Sequence, residues 1–131
     1  MFDISIIYSL TPGEIDNCKY DFKINNKKVQ EKISRNTSNK LIYRVSLSSG
    51  YKIGDNAFYF IWIPDSSLFY VFPETILKHY NYFDGKKCLD IRLHPYYNKS
   101  YRVKHCDLWV NDYLFDYNNL AKSVLINMIN Q

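Results

Sequence analysis

The chain has 131 residues and a formal net charge of +4, which allows one domain with a real core and excludes two. The mild basic excess permits a nucleic-acid partner without demanding one. The longest apolar run, residues 58–64, falls far short of the ~20 residues a helix needs to cross a bilayer, so no membrane span is expected, and no signal peptide is expected either.

Aromatic residues make up 18% of the chain and 13 of them are Tyr, which favours strands because Tyr buries its ring while keeping its hydroxyl wet. Abundant Asn, Ile, Lys and Tyr also fit the codon bias of an AT-rich genome. Residues 2–10 alternate Ile4, Ile6 and Tyr8 with Ser5 and Ile7 and read as a strand, which Thr11-Pro12-Gly13 breaks. Glu14 and Asp16 follow on the loop that leads toward Tyr20.

Residues 19–34 read as a β-hairpin. Two alternating runs flank Asn25-Asn26, and Asn tolerates the positive φ of a two-residue turn. Such a turn fixes the register: Ile24 opposite Lys27, Phe22 opposite Val29, Asp21 opposite Gln30. One face then carries Tyr20, Phe22, Ile24, Val29 and Ile33, the other Asp21, Lys23, Lys28, Gln30 and Lys32. Glu31 falls on the apolar face, where its charge is costly, and a register shifted by one residue would turn it to the polar face instead. An acid, an amide and a lysine on one open face suit metal-dependent phosphodiester hydrolysis. Oxygen donors hold a hard divalent cation, while the lysine orients the attacking water or stabilises charge growing on the phosphate.

The polar connector 35–40 contains Arg35 and Lys40, a composition suited to phosphate contacts. Residues 41–49 form a third strand, with Leu41, Tyr43, Val45 and Leu47 on one face and Arg44 and Ser46 extending the polar face of Asp21. Asp55 precedes residues 58–63, a continuously apolar central strand, and residues 68–72 return beside it. Pro73 begins a short helix over 73–80, with Glu74 at its start and Lys78 and His79 at its end. Phe83-Asp84-Gly85-Lys86 is a hairpin turn into a strand over 87–94, whose Leu89, Ile91 and Leu93 alternate with Cys88, Asp90 and Arg92. In the Tyr-rich loop 95–102, Lys99 and Arg102 lie among rings that could stack bases. Trp109, Leu114 and Phe115 pack a last layer. Asn118 or Asn119 caps a C-terminal helix reaching about residue 130, with Leu120, Ala121, Val124, Leu125 and Met128 along one side. Cys18, Cys88 and Cys106 form no C-x-x-C pair, and His79, His94 and His105 lack zinc spacing, so the thiols read as reduced and buried in an intracellular protein.

Tyr20-Asp21 ahead of a short hairpin, then Val29-Gln30-Glu31-Lys32-Ile33-Ser34, resembles the PD-(D/E)xK nuclease superfamily, in particular intron-encoded and viral members in which Gln replaces the usual Glu. The aromatic hairpin that follows, ending in Pro73, is similar to the one those members place after their catalytic strands. The likeness covers about the first two thirds of the chain. It implies an α+β fold with a mixed, mainly antiparallel sheet, a short helix after Pro73 and a C-terminal helix, lacking the N-terminal helix usual in the family. It implies a DNA endonuclease in which Asp21 and Gln30 hold Mg²⁺ (or Mn²⁺) and Lys32 acts near the attacking water, with Glu14, Asp16 and Asp55 as auxiliary acids. DNA is the expected partner, through Arg35, Lys40, Arg44, Lys99 and Arg102, in the cytoplasm or nucleus of a host cell. The alternatives are a non-catalytic DNA- or protein-binding module that keeps the nuclease fold, and a viral or structural module whose Tyr-rich strands form a homodimeric interface.

Overall fold

A computed structural model describes residues 10–12, 20–38, 41–47, 52–80, 82, 90–96 and 108–131. Among them the chain order is β1 (Leu10–Pro12), β2 (Phe22–Ile24), β3 (Lys27–Ile33), β4 (Arg35–Asn36), β5 (Tyr43–Ser46), β6 (Phe58–Trp62), β7 (Leu68–Pro73), α1 (Glu74–His79), β8 (Asp90–Leu93), β9 (Leu114–Asp116) and α2 (Lys122–Asn130), with 3₁₀ segments at Leu108–Tyr113 and Tyr117–Asn119. The strands form a larger sheet in the order β1-β2-β3-β6-β7-β9 and a smaller one in the order β4-β5-β8. Only β3 and β6 pair in parallel among these; every other pairing is antiparallel. The architecture is the expected α+β one.

The hairpin forms as its sequence demands. Asn25 and Asn26 take φ of 48° and 62°, and the register is Phe22↔Val29, Lys23↔Lys28, Ile24↔Lys27. The expected Asp21↔Gln30 step does not follow: the Asp21 N–H donates to the Val29 carbonyl at 2.8 Å, one residue out of step with Phe22↔Val29, so the strand bulges there, and Tyr20, expected on the apolar face, lies beneath Lys23 and Lys28. A left-handed backbone penalises residues with a Cβ that lack an amide's local hydrogen bonds. Asn26→Ala should therefore cost about 1–2 kcal/mol in urea unfolding, whereas Asn26→Gly should cost almost nothing.

Strand β6 is central, and all five of its residues are buried. Its Tyr59 and Ile61 meet Tyr43, Val45, Ile91 and Leu93 of the smaller sheet and Leu77 of α1. Phe58, Phe60 and Trp62 point the other way, into a cluster with Phe22, Val29, Phe69 and Phe115 that Leu125 and Ile129 of α2 cover. An apolar run without alternation is what burial on both faces requires. Asn111 ties the layers at one end, accepting from the Tyr70 hydroxyl at 3.0 Å and donating to the His94 carbonyl at 3.2 Å.

Several expectations are corrected. Thr11-Pro12 does not end a strand: Leu10–Pro12 pairs with β2 at the sheet's edge, where a proline's missing N–H costs no ladder bond. The strand from Tyr43 joins the smaller sheet and does not extend the one that bears Asp21, because its outward neighbours are β4 and β8. Pro73 is extended (φ −61°, ψ 142°) and sits at the N-cap, so it closes β7 and the helix begins at Glu74. Asn118 and Asn119 lie in a 3₁₀ turn capped by Asp116, whose carboxylate accepts from the Asn118 N–H. Helix α2 starts later, with Ala121 at its N-cap; Leu125 and Ile129 are buried and Leu120 and Met128 pack beside them, so three of the expected stripe face the core, while Ala121 is exposed and Val124 is 55% exposed.

The expectations for residues 2–9, Glu14, Asp16, Lys40, the Asp84-Gly85 turn, the three cysteines, His105, Lys99 and Arg102, and for a missing N-terminal helix, lie outside the described residues. Among the described residues no helix is long and apolar enough to cross a membrane.

Candidate functional site

Alternation along β2 and β3 sends Phe22, Ile24 and Val29 into the core beneath α2. It leaves Lys23, Lys28, Gln30 and Lys32 on the opposite face, with the exposed Asp21 just ahead of β2. The Asp21 and Gln30 side chains meet there: Gln30 Nε2 donates to Asp21 Oδ2 at 2.8 Å, and the Glu31 backbone N–H donates to the same oxygen at 2.7 Å. Gln30 Nε2 also reaches the Glu31 carbonyl at 3.3 Å. The carboxylate is thereby held in one orientation while Asp21 remains exposed and Gln30 half-buried.

Lys32 follows two residues on, on the same face, roughly 7 Å along the strand. It is half-buried and opposite Ile61 in the parallel register. It lines a cleft of about 280 Å³ with Ile33, Arg35, Arg44, Val45 and Ser46, where the larger sheet hands the chain to the smaller one. Ser34 makes that hand-over rigid, its backbone N–H and its hydroxyl both donating to the Trp62 carbonyl at 3.0 Å. At the hairpin's other end Lys23 and Lys28 lie over the Tyr20 ring, 5.6 and 5.5 Å from its centroid.

Glu31 occupies the apolar face, as the register demands, opposite Phe60 and half-buried. The shifted register that would turn it to the polar face is not adopted. Burial pushes its carboxyl above the ordinary value and the Asp21 charge adds to this, while the Trp62 indole acts against them. A carboxyl with a raised folded pKa binds protons more tightly when folded, so its contribution is favourable at low pH and is lost as pH rises from the usual carboxyl range through the raised value. Glu31→Gln should raise the urea midpoint at pH 7 more than at pH 4, and a midpoint lowered equally at both would contradict this placement.

Asp55 is engaged locally, accepting from the Lys52 N–H at 2.8 Å. It lies near enough to Glu74 for its charge to raise that carboxyl, whose own elevation is due first to burial, and Glu74 Oε2 accepts from the Gly54 N–H at 2.7 Å. Among the described residues no group of three or more His, Cys, Asp or Glu side chains is placed to share a metal. A metal at Asp21 would thus rely on the Gln30 amide, on backbone oxygen and on water.

Arg35 and Arg44 stand directly across from each other on β4 and β5. Sequence reasoning did not single out Arg92, which stands across from Arg44 on β8. No local pattern announces that pairing, because strand partners remote in sequence are chosen by the whole fold.

No family model matches the chain, and no curated protein sequence matches it. Solved structures do. A bacterial homing endonuclease, I-Ssp6803I, superimposes with a TM-score of 0.57 at 20% identity, over 77% of this chain and 70% of that one. MepB superimposes with a TM-score of 0.58 at 16% identity, over 91% of this chain and 99% of that one. At such identities the likeness is one of fold, and the fold is nuclease-like.

Proposed function

We propose that the chain is a metal-dependent DNA endonuclease of the PD-(D/E)xK type, with Asp21, Gln30 and Lys32 as its working residues. The observation that carries this reading is the 2.8 Å contact between the Asp21 carboxylate and the Gln30 amide on an exposed hairpin face that also bears Lys32. The fold shared with a homing endonuclease supports it.

The donor chemistry fits Mg²⁺. One carboxylate and one carboxamide are hard oxygen ligands, too few for a closed cage and suited to an ion that keeps several waters. Asp21 would hold it through Oδ1, since two N–H donors already converge on Oδ2, and Gln30 through its amide oxygen. When bound, the ion supplies charge neutralisation at the phosphate and a more acidic water. The chain's own groups do the rest. Gln30 and the Glu31 N–H fix the carboxylate, so little reorganisation accompanies reaction. The Lys32 ammonium would donate to a non-bridging phosphate oxygen or orient the incoming water. Hydrolysis joins the water oxygen to phosphorus, breaks the P–O bond to the leaving sugar oxygen, and transfers a proton to that oxygen.

A neutral amide in place of a second acid makes the bare site a weak metal binder, and substrate phosphate completes it. Supercoiled plasmid incubated with the protein and Mg²⁺ should be nicked or linearised, and EDTA should abolish this. The amide ligand also favours a second reading, a DNA-binding module that keeps the nuclease fold without the chemistry. Salt-sensitive DNA binding with an intact plasmid would select it.

A further inference from the structure

We propose that Arg35, Arg44 and Arg92 form a track for the phosphate backbone of DNA, running across the smaller sheet from the Lys32 cleft. The inference rests on the nuclease reading of that neighbouring site and adds to it the path of the substrate. Its first support is register. Arg35↔Arg44 on β4 and β5, and Arg44↔Arg92 on β5 and β8, are directly opposed pairs. Opposed residues of an antiparallel pair project from the same side of a sheet.

That side is the outer one, because Tyr43, Val45, Ile91 and Leu93 fill the inner side and are buried against the larger sheet. Arg35 and Arg92 are exposed and Arg44 is half-buried. With strands about 4.8 Å apart, the three positions make a straight row about 10 Å long.

Side-chain chemistry is the second support, since the planar fork of arginine binds phosphate oxygens in pairs and keeps its charge at any working pH.

The third support is continuity. Arg35 and Arg44 line the same 280 Å³ cleft as Lys32 and Ser46, so one end of the row meets Lys32. A linear polyphosphate laid along the row would reach that cleft. A compact acidic ligand would need only the cleft, and the regular row beyond it favours a polymer of evenly spaced charges.

The test compares the full chain with two variants, Arg35→Gln/Arg92→Gln, which alters only exposed positions, and the same pair with Arg44→Gln added. Binding to a short fluorescent DNA duplex is measured without divalent metal over a range of salt concentrations, beside plasmid nicking with Mg²⁺. Each lost phosphate contact should reduce the slope of log K against log salt by about 0.9, so the double variant should lose about 2 and the triple nearly 3. The double variant's unfolding midpoint should stay close to that of the full chain, since both substitutions fall at exposed positions.

A control, Lys78→Gln/Lys122→Gln, removes the same charge from exposed positions on the two helices and should keep its slope. An unchanged slope in both arginine variants, or an equal loss in the control, overturns the track. If the wild-type chain still nicks plasmid in that case, the nuclease reading stands alone. A wild-type chain that neither binds nor cuts DNA overturns both.

Discussion

Lys32→Ala is expected to slow Mg²⁺-dependent DNA cleavage by about 10²- to 10⁴-fold, the usual worth of a positioned proton donor or charge stabiliser. Asp21→Ala should lose at least as much, but the two variants should fail differently. On the proposed reading Lys32 would add its charge where the phosphate reacts, so its removal should depress the maximal rate while the Mg²⁺ concentration needed for half-activity changes little. Removing Asp21 takes away the one carboxylate of the site and should push that concentration up steeply. It also strands the Glu31 N–H and the Gln30 amide, which both donate to Asp21 Oδ2, at a stability cost of about 1 kcal/mol. Both proteins should remain folded, as urea unfolding would verify. Full activity in either folded variant would remove that residue from the chemistry.

The largest expected effect on stability lies far from the site. Phe69 is fully buried and touches three other rings, stacking on Trp62 at 4.6 Å and Phe115 at 5.7 Å and lying 6.2 Å from Phe60. Phe69→Ala deletes the middle of that layer and leaves a cavity rigid strands cannot close, at a cost of about 3–5 kcal/mol. Against a total of about 5–15 kcal/mol for a single domain, that is a third or more of the whole. The urea midpoint should fall accordingly, and a loss under about 1 kcal/mol would mean that the layer beneath α2 is not close-packed. Hairpin and helix should loosen together in this variant, since Phe22, Val29, Leu125 and Ile129 share the cluster with Phe69.

What could be read from the chain was what local rules determine. The turn at Asn25-Asn26 sets its own register from Ile24↔Lys27 to Phe22↔Val29, which puts Gln30 and Lys32 on one face, whereas Asp21 slips out of that register in its backbone and meets Gln30 through its side chain. The misfit of Glu31 among apolar neighbours was visible by the same count, and its raised carboxyl is the physical form that misfit takes. Five unbroken apolar residues announced β6 as a strand covered twice. Partner choice was not legible. The alternation of Tyr43–Ser46 is equally compatible with either sheet, and only the collective packing of Tyr43, Val45, Ile91 and Leu93 assigns it to the smaller one. Pro12 looked like a terminator because nothing local says that its strand is an edge. The side of α2 that is buried depended on where the helix began, which the 3₁₀ turn at Tyr117–Asn119 shifted.

The tip of the hairpin is also where two distant parts of the chain are joined. The Lys27 ammonium donates to the Ile129 carbonyl and, at 2.7 Å, to the Gln131 carbonyl, while Asn25 Nδ2 donates to Asn130 Oδ1 at 2.9 Å. A lysine there neutralises the negative end of the α2 dipole and satisfies carbonyls that a helix end leaves bare. Fraying of that last turn and opening of the ribbon tip are thus one motion. On a ribosome, a segment made early would wait for one made about a hundred residues later before it became rigid.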